Sequence, residues 1–464
     1  MTAASPSLST GFTHPAARLG RTDSAASNAA SAQMIGNAAI AFAVFLGGFV
    51  IFEPAPYELF LAALLGVWVV CGLRIPRDVA PLLFLFTLFN FGGIISSFQI
   101  EEYTRGLIYV AVSYFLALTS VFFAIAIKQD MGRLRLIFRA YVVAAVFTSM
   151  LGIIGYFNVG GFEIFTRYNR AMGAFQDPNV FAPFLVAPIL YLIYGVVNRS
   201  PTLMPLRAGA LVILLLGLFL AFSRAAWGLS IVSGGLFYLL LIINEQKART
   251  RLKYIVIGAA GVVAIVMLLL IALQFDEVSK LFAERAKAVQ DYDGGQEGRF
   301  ARHLLGFELA LSKPLGIGPL EFGYIFAEDT HNNWVKALMD YGWLGFVCWL
   351  IIMIWTLVGG FKLMFRQRPW LPYIQIAYVV FFGHVLIGNV IDTDHWRHFY
   401  LLIGIIWGCM ALEARWQQTR RDMAQSGTER ALREPASEVP AVIPASRPSG
   451  MPKSVAGKSS LLEQ

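Results

Sequence analysis

The chain has 464 residues, 57% of them hydrophobic and only 14% charged, with a mean hydropathy of +0.63. A soluble domain carries about a quarter charged residues, so one large water-soluble domain is excluded and lipid is the solvent for most of this chain. The net charge of +8 would suit nucleic acid, but its alternation from loop to loop fits membrane topology instead, and no nucleic-acid partner is expected.

Residues 1–34 are rich in Ala and Ser and have no apolar core, so they are expected to form a disordered tail without a secretory signal. Apolar runs of about 17–25 residues are long enough to span a bilayer as helix, and roughly twelve follow. They lie near 35–52, 57–73, 79–98, 106–127, 136–157, 180–197, 207–222, 226–243, 254–274, 334–358, 373–391 and 399–413. The reading is an all-α, polytopic membrane protein. Its first nine spans occupy 35–274, a long outer loop fills 275–333, three more spans run over 334–415, and a second disordered tail covers 416–464. Within 207–243 only Ser223 and Arg224 interrupt the apolar run. One helix of that length would far exceed a bilayer at about 1.5 Å per residue, so a tight hairpin is expected there. Cys71, Cys348 and Cys409 all fall in spans and read as small apolar residues rather than a disulfide or metal set.

With the N-terminus placed in the cytoplasm, the loops on its side hold 24 of the 37 Lys and Arg and the opposite loops ten. The excess faces inward, which puts both termini in the cytoplasm. The outer loops then collect the informative residues: RYNRAMGAFQDPN (167–179), SRAAW (223–227), the long segment 275–333, and IDTDHWRH (391–398). No Gly-rich phosphate loop of the P-loop type occurs, and nucleotides are not expected on the outer face. A reaction there needs a substrate that arrives already activated, and a lipid-linked diphosphate fits. Such a site needs cations for the diphosphate and a base for the acceptor hydroxyl.

Arg224 sits at the outer end of a span, where a charge turned toward lipid would be costly, so it is expected to face the bundle or a wet cavity rather than snorkel. Arg299 and Arg302 open RFARHLLGFELAL, in which Phe300, Leu304, Phe307 and Leu311 recur at helical spacing. That pattern predicts an amphipathic helix on the membrane face with Arg299, Arg302 and His303 on its polar side; the bland alternative is a solvated face. Arg167 and Arg170 adjoin Asp177-Pro-Asn179, a turn and helix-start signal. His331, in EDTHNNW, lies just before a span, and imidazole has a pKa suited to proton transfer near neutral pH. Asn332 and Asn333 are expected to cap that span, whose N-terminal N–H groups could attract phosphate. Lys336 and Asp340 are spaced to pair with each other. Asp392, Asp394, His395 and His398 have metal-ligand types, but a loop lining the same cavity is the expected reading, with no metal. His384 reads as a hydrogen-bonded core histidine.

Three motifs together resemble the bacterial O-antigen ligase/polysaccharide polymerase superfamily. SRAAW (223–227) is similar to its S-R-x-x-W junction. GRFARHLLGFELALSKPLGIG (298–318) is similar to its G-R, amphipathic helix and P-L-x-G-x-G segment, and HNNWVKALMDYGWLG (331–345) to its H-N signature. AMGAFQDPN (171–179) is also typical, and the resemblance covers about residues 170–350. His303 and Trp334 stand where an aromatic and an aliphatic or Tyr are common, which touches substrate detail rather than class. The resemblance implies a GT-C-like glycosyltransferase of the inner membrane. Its donor would be an undecaprenyl-diphosphate-linked glycan, its acceptor lipid A-core or a second lipid-linked repeat unit, and it would need no cofactor or metal. It implies Arg224 and Arg299 as diphosphate-binding arginines and His331 as the essential histidine. Charge and position add Arg302, Arg170, Asp177, Asn179 and Asn332 as candidate substrate contacts. A ligase is favoured slightly over a polymerase of O-antigen or exopolysaccharide repeats. A flippase for lipid-linked glycans is the rival from another class, and it would show polar residues at mid-membrane in two related halves.

Overall fold

The computed structural model describes residues 16–72, 74–198, 201–285, 298–326 and 328–433, with the side chains of 16–26, 277, 299 and 426–433 outside the described set. The described residues are almost entirely α-helical, with a single two-stranded ribbon. Where no water can bond the backbone, helices satisfy every N–H and C=O internally, which is why so apolar a chain takes this form. Pro56, Pro81, Pro178, Pro205 and Pro372 each stand in the first turn of a helix, where a missing N–H costs nothing.

Each of the twelve apolar runs coincides with a helix or helix pair. Ten are long and apolar enough to cross a membrane: Ser27–Leu46, Ala80–Ser97, Tyr103–Gln129, Gly132–Tyr156, Pro178–Asn198, Pro201–Leu220, Arg224–Asn244, Ala248–Ala272, Asn333–Leu363 and Arg397–Gln425. Pro56–Val70 and Leu371–Ile387 are shorter apolar helices. The protein is therefore an all-α, multi-pass membrane protein. The hairpin at Ser223–Arg224 forms as expected, between α8 (Met204–Leu220) and α9 (Arg224–Asn244). Helices α1 (Ala16–Leu46) and α16 (Arg397–Arg433) run further than the expected spans. Residues 16–34 and 416–433 are thus helical rather than disordered, in keeping with their Ala, Gln, Arg and Met content. Residues 1–15 and 434–464 of the two tails lie outside the described residues.

Alternate connections gather at opposite ends of the bundle. At one end Val50 N donates to Ala174 O at 2.6 Å, Arg397 pairs with Glu53 at 3.3 Å, and Arg105 pairs with Glu321 at 3.6 Å. At the other, Arg366 and Arg368 hold Glu413 at 2.6 and 2.8 Å, and Lys253 donates to Val197 O at 2.7 Å. Every candidate site residue belongs to the first end.

Helix α14 (Asn333–Leu363) carries the candidate histidine at its start and packs chiefly on α3 (Ala80–Ser97), where Phe89 and Tyr341 stack 3.9 Å apart. It is broken at Gly342, whose φ of 63° and ψ of −174° belong to glycine alone. The Pro314–Gly318 loop fills the break: Trp343 N donates to Pro314 O at 3.0 Å and Ile317 N to Met339 O at 2.8 Å. The peptide groups freed by the kink are thereby paired again.

Helix α12 (Arg299–Ser312) is the expected amphipathic helix, and its polar side packs on the protein instead of taking the bland alternative of a solvated face. Phe300, Leu304, Phe307 and Leu311 are exposed, as suits a helix lying against lipid. Arg302, Gly306 and Ala310 are buried on the opposite face, and Gly306 lies against Thr330, Val335 and Met339.

Candidate active site

Two helices of the site begin in the same way. The residue before each N-cap is in the left-handed region, Phe222 with φ 47° and His331 with φ 51°. An N-cap follows: Ser223 Oγ accepts from Ala226 N at 3.4 Å, and Asn332 Oδ1 accepts from Trp334 N and Val335 N at 3.0 and 3.2 Å. Non-glycine residues in that region cost free energy and persist where the surroundings over-determine them. The turn aims His331 away from the helix axis and sets Arg224 as the first residue of α9.

These two starts lie level. Helix α9 runs antiparallel to α15 (Leu371–Ile387): Ser233 donates to Val379 O at 3.0 Å, and a Cβ on Gly383 would meet Leu229. Extending that register by five residues places Arg224 at the level of Gly388, whose carbonyl accepts from Asn333 N at 2.8 Å. Arg224 itself is half-buried. The register sets Arg224 at the mouth of the bundle, on the level of the start of α14.

His331 Nδ1 contacts Asp392 Oδ2 at 2.9 Å, so Nε2 is the ring nitrogen away from Asp392. Behind the pair, Lys336 is nearly buried and faces three carboxylates: Asp329 at 3.0 Å, Asp392 at 3.8 Å and Asp394 at 4.0 Å. This corrects the expected Lys336–Asp340 pair, whose spacing along the helix is outcompeted by the acids of two loops. Asp340 is buried close by with Oδ2 unpaired. Asp394 Oδ2 also accepts from Tyr109 Oη at 2.7 Å and meets His395 Nδ1 at 2.9 Å. Burial by itself would raise the Asp394 carboxyl's pKa, but Lys336, then His395, then the Tyr109 hydroxyl outweigh it and hold the group well below the usual carboxylate range. Side-chain exposure falls from 37% at His331 to 22% at Asp392 and 7% at Lys336, so His331 is the most exposed of the three.

The other candidates divide. Arg302 is buried and pairs with Glu328, which draws α12 to the loop before His331. Arg299 is the first residue of α12, and its side chain lies outside the described residues. Arg170 follows a two-residue turn in which Tyr168 and Asn169 both have positive φ, the backbone a tight hairpin needs. It is buried, donating to Ala221 O and Asn179 Oδ1, both at 2.7 Å. Asp177 caps the next helix by accepting from Asn179 N at 2.6 Å. Arg170, Asp177 and Asn179 therefore brace the turn that precedes Arg224 instead of lining an open surface. Asn332 is likewise occupied, and its Nδ2 donates to Asn389 O at 3.3 Å. The first N–H groups of α14 are used by Asn332 and Gly388, so the expected free anion site at this terminus is not there.

Asp392, Asp394 and His395 were expected to line the cavity without a metal. Among the described residues no group of three or more His, Cys, Asp or Glu is arranged to hold one. Their contacts to His331, Lys336 and Tyr109 are what sequence reasoning missed. Asp392 is 61 residues from His331, and no local pattern pairs them.

Residues 209–350 match the family model described as O-antigen ligase. That segment is similar to the O-antigen ligase family. The resemblance read from SRAAW, the G-R helix and the H-N signature is borne out by this match, which contains Arg224, Arg299, Arg302 and His331. The function is accordingly of the O-antigen ligase/polymerase type. Tyr109, Asp392, Asp394 and His395 lie outside the matched O-antigen ligase segment, and the fold adds them to it. No curated protein matches the chain.

Proposed function

We propose that the protein is a metal-independent membrane glycosyltransferase. It moves a glycan from undecaprenyl diphosphate to a hydroxyl of lipid A-core on the periplasmic face of the bacterial inner membrane, with both termini cytoplasmic. One observation carries the reading: the partly exposed His331, backed by Asp392, stands level with Arg224 at one end of the bundle. His331 Nε2 takes the proton of the acceptor hydroxyl as its oxygen attacks the anomeric carbon. The glycosidic C–O bond forms, the C–O bond to the diphosphate breaks, and the electron pair leaves with the diphosphate. Asp392 fixes the ring through Nδ1 and stabilises the imidazolium that results, the division of labour in other carboxylate-oriented histidines. Arg224 and Arg299 hold the diphosphate and take up its developing charge, the kind of term worth about 2.7–4 kcal/mol per donor. The acids around His331 suit a base better than a diphosphate contact, since they would repel a second anion.

A polymerase uses the same donor chemistry with a second lipid-linked repeat unit as acceptor. Lys336, Asp340 and Asp394 gather at one end of the bundle rather than at mid-depth in two halves, which favours an enzyme over a flippase. The test is complementation of a deletion strain with wild type, Arg224→Ala, Arg299→Ala, His331→Ala and Asp392→Asn. Bare lipid A-core and accumulated undecaprenyl-linked polymer, unrescued by the variants at normal expression, are the expected result. The His331→Ala rate should fall by about 10²–10⁴, the usual contribution of a general base. Core bearing a single repeat, or loss of exopolysaccharide with intact lipopolysaccharide, makes the protein a polymerase. Full activity in every variant overturns the mechanism.

A further inference from the structure

A cavity of about 600 Å³ opens at the site's end of the bundle, with Tyr109 and His395 in its wall but not His331, Asp392 or Lys336. Glu102, Thr104, Arg105 and Arg397 complete the side where hydrogen bonds can form. The other side is Ile108, Val112 and Leu320. Thr104, Ile108 and Val112 follow one face of helix α4 (Tyr103–Gln129) at four-residue spacing, so the wall turns from polar to apolar within two turns. Ile108 is 61% exposed and Val112 37%, which opens the apolar part sideways to lipid. A hydroxyl-rich head at the mouth with a hydrocarbon chain along α4 is the shape of ligand that such a wall accommodates.

The charges say which head. Arg105 faces Glu321 at 3.6 Å and lies over the Tyr324 ring at 5.0 Å. Arg397 is held by Glu58 and by Glu53 at 3.3 Å. With Glu53 and Glu102 also in the wall, each cation has a carboxylate beside it and a diphosphate would meet compensated charge, while Arg105 Nε, without a hydrogen-bond partner among the described residues, is left as a donor for a hydroxyl. A sugar finds donors, acceptors and the paired rings of Tyr109 and His395, 4.0 Å apart. Asp394, shared by Tyr109 and His395 and facing Lys336, ties this wall to the cluster that holds His331.

We propose that this cavity binds the carbohydrate end of the lipid-linked acceptor, whose hydrocarbon chain lies along Ile108 and Val112. The proposal rests on the glycosyl-transfer reading above and adds a second substrate subsite to it.

The test uses the full chain in nanodiscs, with lipid A-core and undecaprenyl-diphosphate-linked glycan as separate probes, and reads both the Kd of each lipid and glycan transfer. Val112→Trp fills the apolar end, and Glu102→Gln, at an exposed position, removes a charge and one acceptor oxygen without burden on folding. Both are expected to weaken lipid A-core at least about tenfold, equal to about 1.4 kcal/mol, and to leave the donor Kd unchanged. Wild type binding two equivalents of donor lipid, and each variant one, supports the same cavity with a second repeat unit as acceptor. Unchanged acceptor binding in both variants, with transfer intact, overturns the cavity proposal alone. Loss of donor binding instead makes it a donor subsite and overturns it too. A wild type that transfers no glycan, or a His331→Ala that transfers normally, sinks the glycosyl-transfer reading and the acceptor subsite with it.

Discussion

Lys336 is the residue on which the site turns, because one buried ammonium answers Asp329, Asp392 and Asp394. Removing one partner of a buried ionic cluster leaves the others uncompensated at a cost of about 3–5 kcal/mol. Lys336→Met is therefore expected to lower thermal stability markedly and to abolish transfer, whereas Lys336→Arg retains the charge and much of the stability. Equal melting temperatures for wild type and Lys336→Met would show that the acids do not depend on it. Asp394 gives a pH prediction. Its folded pKa is depressed, so its contribution to stability is complete above the ordinary carboxylate pKa of about 3.9 and is lost as pH falls through the folded value. The melting-temperature gap between wild type and Asp394→Asn should be flat from about pH 5 to 8 and narrow only toward more acid pH. A gap that closes near neutral pH contradicts the assigned ionisation.

At the scale of elements, the start of α14 and its break at Gly342 position the histidine. Gly342→Ala puts a Cβ about 2.8 Å from the Leu315 carbonyl, on a backbone conformation that only glycine adopts. Strain of that kind costs on the order of 1–3 kcal/mol before the clash is counted, so loss of stability and of activity together is expected in a thermal melt and a transfer assay. Asn332→Ala separates two roles. As the N-cap it should cost about 0.5–2 kcal/mol of stability while the donor KM stays near wild type. A raised donor KM at unchanged stability would restore Asn332 as a substrate contact. The motifs make physical sense at this scale: the PLGIG loop (314–318) supplies Pro314 O as an acceptor for the kink, and Gly316, at φ 89°, lets its backbone approach Met339 O.

For the whole molecule, the alternation of Lys and Arg predicts which end meets which compartment. In a cysteine-free background, Tyr168→Cys should react with a membrane-impermeant thiol reagent from the periplasm, and Gln367→Cys should not; the reverse pattern would invert the proposed topology. The apolar runs, their lengths and the Ser223–Arg224 hairpin were all legible in the sequence, because a bilayer permits few forms and run length is read directly. The places of Arg224 and His331, at the starts of α9 and α14, were legible too, since a polar cluster interrupting or opening an apolar run marks a helix end. Their partners were not. Local spacing pointed Lys336 to Asp340 and left the Asp392 loop as a cavity lining without a metal, whereas the packing of α14 beside α15 brings Asp392 and Asp394 to His331 and Lys336, with Tyr109 of α4 on Asp394. Sequence by itself determined the class of molecule and the residues able to do chemistry, because hydropathy and residue type are local properties. Only the tertiary structure decided which acid meets the histidine and where a cavity opens beside it, because those contacts join segments tens to hundreds of residues apart and depend on which helices become neighbours.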